Sequence, residues 1–129
     1  MTDEEAVLDG IRDMYDAFLA RDRDRFDRHL APTVTTWESH LPDLMSRREL
    51  DEYRDRRTAR ERPDPADLRV QPRAVDVWGD RALARYVLVA VPRDAGAPPV
   101  STRVTDVLER TPSGWRIVHH HAERQDTGT

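Results

Sequence analysis

The sequence predicts an α+β domain in which helices come first and an antiparallel sheet follows, and three observations carry that expectation. Apolar residues recur at helical spacing from Thr2 to Arg21 and again around Leu50 and Tyr53. From Leu68 the period changes to two and holds as far as Arg124. Short turn-forming stretches, not long crossovers, separate the period-two segments, so successive strands pair as an antiparallel meander.

The elements follow in order. Thr2 with Glu5 has the spacing of a capping box, in which a hydroxyl satisfies a free backbone N–H of the first turn. Val7, Ile11, Met14, Tyr15 and Phe18 then share one face of a long helix. RDRDRFDRHL predicts a second, short helix with Phe26 and Leu30 on one side, stopped by Pro32 because the proline ring cannot continue it. VTTWE reads as a brief strand, since β-branched and aromatic residues cluster between breaks. Ser46 with Glu49 repeats the capping box and opens a helix through Leu50 and Tyr53 to Arg60, ended by RPDPAD.

LRVQPRAVDVW, ALARYVLVAV, VSTRVTDVLER and GWRIVHHHAER then predict four strands. Their turns are Gly79-Asp80, a loop holding Gly96, Pro98 and Pro99, and Thr111-Pro112-Ser113-Gly114. Pro72 breaks the apolar phase of the first strand, which predicts an edge position or a bulge there. ALARYVLVAV is apolar on both faces, so both need cover: helices on one side and a second copy of the chain on the other.

Composition bounds the function classes. A chain of 129 residues supports one core, expected over 1–125 with a disordered tail at 126–129. No run approaches a membrane span, and MTDEEA lacks the basic start of a signal peptide, so a cytoplasmic protein is expected. With no cysteine there is no thiolate nucleophile, and with no lysine there is neither Schiff-base chemistry nor a P-loop. The net charge of −4 is spread as interleaved acids and arginines, which gives no field for nucleic acid. The one basic run, RDRRTARER from Arg54 to Arg62, reads as the solvated C-terminal end of a helix. Neither a cofactor nor a metal is expected.

Three stretches are similar to a known family. FDRHLAPTVTTWE, VDVWGDRALARYVLVAV and STRVTDVLERTPSGWRIVHHHAER resemble the helix-to-strand junction, the Gly-Asp hairpin with its long central strand, and the last hairpin of the nuclear transport factor 2-like, or SnoaL-like, superfamily. The last two also resemble the association domain of calcium/calmodulin-dependent protein kinase II. The resemblance implies a cone: a strongly curved antiparallel sheet wrapped around N-terminal helices, the cystatin-like α+β roll, with a hydrophobic pocket in its open end and a homodimer formed through the convex sheet face. Members include isomerases, dehydratases, polyketide cyclases, epoxide hydrolases and modules that bind or assemble without catalysis. The fold alone therefore leaves the activity open.

The final hairpin carries the candidate chemistry. With Leu108 opposite His120 and Asp106 opposite Ala122, uninterrupted alternation puts Val104, Asp106, Leu108, Val118, His120 and Ala122 on one face. Thr105, Val107, Glu109, Trp115, Ile117, His119 and His121 fall on the other. The resemblance turns the first face to the pocket, where Asp106 and His120, as diagonal neighbours, form a coupled acid–imidazole pair able to move a proton near neutral pH. Tyr86 shares that face with Ala84 and Leu88, and Tyr15 offers a second phenol from the first helix, as helix-borne acids do in this superfamily. Trp37 at the pocket mouth, with Phe18, Tyr53, Leu88, Leu108 and Val118, is the expected lining for a small hydrophobic organic molecule.

The expected function is thus a small-molecule-binding protein, as an enzyme a cofactor-free isomerase, dehydratase or cyclase working through Asp106, His120, Tyr86 and Tyr15. The alternative is a non-catalytic dimeric module using the same cavity. His119 and His121, with Glu123 on the same face and His40 elsewhere, allow a metal only by coincidence of adjacent histidines.

Overall fold

The computed structural model describes residues 1–125, and the tail expected at 126–129 lies outside the described residues. Helices α1 (Asp3–Leu19) and α2 (Arg23–Asp27) lead into β1 (Leu30–Trp37), a two-residue β2 (Met45–Ser46) and α3 (Arg47–Arg56). The meander β3 (Asp67–Trp78), β4 (Arg81–Val91), β5 (Val100–Thr111) and β6 (Gly114–Arg124) completes the chain. One curved, unclosed sheet holds all six strands in the order β2-β1-β6-β5-β4-β3. No helix among the described residues is long and apolar enough to cross a membrane.

Both expected caps form. Thr2 accepts from the Glu5 N–H, and Ser46 and Glu49 exchange side-chain and backbone bonds as a complete capping box. Helix α1 turns Val7, Ile11, Met14 and Tyr15 onto the sheet, where they meet Leu30, Val34, Ala84, Tyr86, Val104 and Leu108 in one core. Each such side chain contributes about 1.5–3 kcal/mol by leaving water.

Three expectations need correction. The sheet is mixed: β1 runs parallel to β6, with Thr36 in register with His120. Their direction is not set by a tight turn, because nearly the whole chain separates them, so a hairpin rule has no purchase on them. Secondly, Pro32 does not stop a helix. Leu30 already belongs to β1, and Pro32 falls where the β1–β6 ladder is interrupted between Leu30 and Thr35, so its missing N–H removes no ladder bond. Thirdly, α3 ends at Arg56, and the basic run continues beyond it with Arg57 in extended backbone. Pro72, by contrast, behaves as read, lying on edge strand β3 beside a register shift between Pro72 and Ala74.

The last hairpin departs from uninterrupted alternation in a way that decides the site. Its turn has two residues between paired Thr111 and Gly114, with Gly114 at a φ of 111° that side chains disfavour. Leu108 therefore faces Ile117, which is buried on the inner side, not His120 as expected. Strict alternation from Ile117 would carry His119 and His121 inward. Instead the register shifts between Val107 and Leu108, Val118 is the extra residue, and Asp106 comes directly opposite His120. The bulge selects which histidine enters the core.

Candidate functional site

Four elements converge on one buried acid. On β5 the inner positions are Val104, Asp106 and Leu108, and Asp106 has no solvent exposure. Its partner across β4 is Ala84, small enough to leave room for the Tyr86 ring one diagonal step away. Tyr86 donates its O–H to Asp106 Oδ2 at 2.6 Å. Tyr15, arriving from α1, lies with its oxygen 2.8 Å from that of Tyr86 and its ring edge-on to it, at 6.1 Å and 74°. Since the Tyr86 proton is committed to the carboxylate, Tyr15 is the donor of that pair.

The other carboxylate oxygen, Oδ1, accepts from His120 Nδ1 at 2.6 Å. His120 Nε2 then faces Glu38 Oε1 at 3.5 Å, just past the end of β1. The result is a ladder, Tyr15–Tyr86–Asp106–His120–Glu38, running from the core to the rim; the His120 side chain is 14% exposed and that of Glu38 28%. In register with His120, Thr36 is buried and its hydroxyl oxygen has no hydrogen-bond partner.

Electrostatics explain why the ladder holds charge at one end and resists it at the other. Burial alone opposes an imidazolium at His120, yet the adjacent Asp106 charge and hydrogen bond, reinforced by Glu38, outweigh it and push the group up to about 9. Tyr15 and Tyr86 are raised well above the ordinary phenol range by burial first and then by the Asp106 charge, so both stay protonated. An ionised Asp106 between a cationic imidazole and a donating phenol is a satisfied buried ion pair. His120, charged at neutral pH, carries a proton on Nε2 at the exposed end.

The structure brings together four residues singled out from the sequence: Asp106, His120, Tyr86 and Tyr15. Leu108 and Leu88 lie on the same inner face, fully and partly buried. Val118 is the bulged residue, and Ile117 takes the inward place intended for it. Trp37 points to the opposite face from Thr36, is 45% exposed, and packs against the His121 ring at 5.5 Å. Tyr53 is tied to His40 by a 3.1 Å hydrogen bond. Phe18 lines a separate cavity of about 210 Å³ with Arg21 between α1 and α2, Arg23 of α2, Arg54 of α3, and Arg57 and Arg62 beyond it.

A second cavity, about 680 Å³, lies between α1 and the β5–β6 turn. Neither cavity is lined by Asp106, His120, Tyr86 or Tyr15. His119 and His121 share the outer face as read, and His119 is held to Thr35 Oγ1 at 2.7 Å. Glu38 and Thr36 were missed. Both stood in the VTTWE strand, and only its parallel pairing with β6 reveals what they face.

A curved, unclosed mixed sheet with helices at the N-terminus is the α+β roll of the nuclear transport factor 2-like superfamily. Within it the chain belongs to the SnoaL-like domain family, whose model matches residues 7–122. No curated protein matches it in sequence. Among solved structures it is similar to the CaMKII hub of S. rosetta, at a TM-score of 0.79 and 23% identity over 97% of this chain and 98% of that one. It is also similar to a protein described as a putative ketosteroid isomerase from Parabacteroides distasonis, at 0.73 and 17% over 94% and 86%. A domain of unknown function with a cystatin-like fold from Nostoc punctiforme matches at 0.75 and 18% over 99% and 81%. At these identities the likeness is one of fold.

Proposed function

We propose that the protein binds a small organic molecule at the rim of the cone and moves a proton on it without a cofactor, as an isomerase, dehydratase or cyclase does. The observation that carries the reading is the 3.5 Å gap between His120 Nε2 and Glu38 Oε1, where a cationic donor and a carboxylate face each other at the exposed end of a buried ladder. In this scheme Glu38 accepts a proton from a carbon next to a carbonyl, while the Nε2–H of His120 stabilises the oxyanion that develops. Asp106 holds the imidazolium in that orientation, and Tyr86 and Tyr15 hold Asp106 in turn. Buried Thr36 Oγ1, lacking a partner, is available to a polar group of the bound molecule.

The test is proton exchange. Incubated in D₂O with β,γ-unsaturated and β-hydroxy ketones, the protein should exchange or rearrange one of them, followed by NMR. Glu38→Gln should lower kcat by about 10²–10⁴-fold while the far-UV circular dichroism stays unchanged. No exchange by the unaltered protein on any of these ketones would rule against catalysis.

A second reading is a non-catalytic dimeric binding or assembly module, favoured by a ladder whose members satisfy one another and by the absence of its core residues from either cavity lining. Both readings share a homodimer through the outer sheet face, where Leu83, Val87 and Val107 are half-buried between the ion pairs Arg85–Asp76 and Arg81–Glu109. Sedimentation equilibrium should give a dimer for the unaltered chain and a monomer for Val87→Arg. A monomeric parent would sink the dimer.

A further inference from the structure

The basic run that looked like a solvated helix end encloses a cavity instead. It measures about 210 Å³ and is lined by Arg21, Arg23, Arg54, Arg57 and Arg62 around the Phe18 ring, with Asp22 as its acid. Asp22 is already engaged, capping α2 through the Arg25 N–H at 3.1 Å. Three of the arginines have carboxylates: Arg21 reaches Asp64 at 3.3 Å, Arg23 reaches Asp55 at 2.7 Å, and Arg54 is held by Asp27 at 2.8 Å and by Asp51.

Arg57 and Arg62 have none among the described residues. Arg57 lies over the Tyr53 ring at 5.8 Å. Arg62 lies over Phe18 at 4.3 Å and donates to the carbonyls of Phe18 and Pro63 at 2.8 and 3.1 Å. Burial first, and then the charges of Arg21 and Arg57, hold Arg62 below the ordinary guanidinium value, and the charge of Asp64, which is itself paired with Arg21, offsets this only in part. The Arg54 Nε–H is also buried with no partner. A half-enclosed pocket with two unneutralised guanidiniums, an orphaned N–H donor and an aromatic floor lacks a multiply charged acceptor.

We propose that this pocket binds a phosphate monoester, its dianionic head between Arg57 and Arg62 and its organic part against Phe18. A dianion matches two uncompensated charges, and its three terminal oxygens accept the forked donors that a flat carboxylate engages only in part. The proposal is independent of proton transfer at His120, since Glu38→Gln should leave it untouched.

Isothermal titration at low ionic strength with phenyl phosphate, inorganic phosphate and benzoate tests it. Phenyl phosphate should bind one per chain and more tightly than benzoate, with inorganic phosphate competing. Arg57→Gln and Arg62→Gln should each weaken it by about tenfold or more. Arg60→Gln, on the same run but outside the lining, should not. Should Arg62→Gln fail to fold for want of its hold on Phe18, Arg57→Gln decides alone. No binding of phenyl phosphate, binding that Arg60→Gln weakens as much as Arg57→Gln, or tighter binding of benzoate would each overturn the proposal.

Discussion

Asp106→Ala is expected to lower the unfolding free energy by about 3–5 kcal/mol, among the largest effects a single substitution in this chain can have. Asp106 is fully buried and serves two groups at once, the Tyr86 phenol at 2.6 Å and the His120 imidazole at 2.6 Å. Removing it leaves a buried hydroxyl without an acceptor and a nearly buried cation without its counter-charge, and both penalties fall on the folded state alone. Asp106→Asn keeps the shape and one acceptor oxygen but loses the charge, so it should cost less and return His120 toward or below the ordinary histidine value. Urea denaturation measures the first effect and NMR titration of the His120 ring the second. A loss below about 1 kcal/mol for Asp106→Ala would be too small for a buried ion pair.

The second large effect is a fall in stability as pH rises from about 6.5 to about 9. His120 binds its proton more tightly in the folded protein, at about 9 against about 6.5 for a free histidine. The stabilisation is therefore complete below 6.5, decays as pH rises through the folded value, and is gone above it. Integrated over that window it amounts to on the order of 3 kcal/mol.

Other shifted groups act elsewhere. Asp13, held by Arg25 and then His29, is lowered to about 2, so its contribution is present above the usual carboxylate range and lost as pH falls toward 2. His119 is lowered by burial and by its neighbours His120 and His121, so its shift works against the fold only under acidic conditions. The two phenols ionise above the window. Chemical denaturation at pH 6 and pH 9.5 should show the drop, and His120→Gln should flatten it. A parent protein equally stable at both values would mean that the imidazole is not held charged.

Much of the fold was legible because its signals are local. The capping boxes at Thr2 and Ser46, the helical face from Val7 to Phe18, the Gly79-Asp80 turn and the β6 span all depend on residues a few positions apart, where propensity and periodicity act directly. The inward parity of Asp106 follows from alternation along β5, whereas that of His120 does not: the two-residue turn sets Leu108 against Ile117, and only the bulge at Val118 restores His120 to the inner face, directly opposite Asp106. Leu30, read as helix, shows the limit of the local signal, since pairing with Ile117 outweighs a weak helical preference.

Residue order and periodicity sufficed for the main helices, the four meander strands and the α+β class, and the family resemblance added that a carboxylate, an imidazole and two phenols share the interior. Tertiary structure alone decided that β1 lies parallel to β6 and so brings Glu38 and Thr36 to His120. It also decided that Arg62 closes over Phe18, that Arg57 lines the same cavity, and that Trp37 faces away. Each of those outcomes pairs residues far apart in the chain, where side-chain spacing carries no information about the partner and only the packing of the whole sheet against α1 selects register and face.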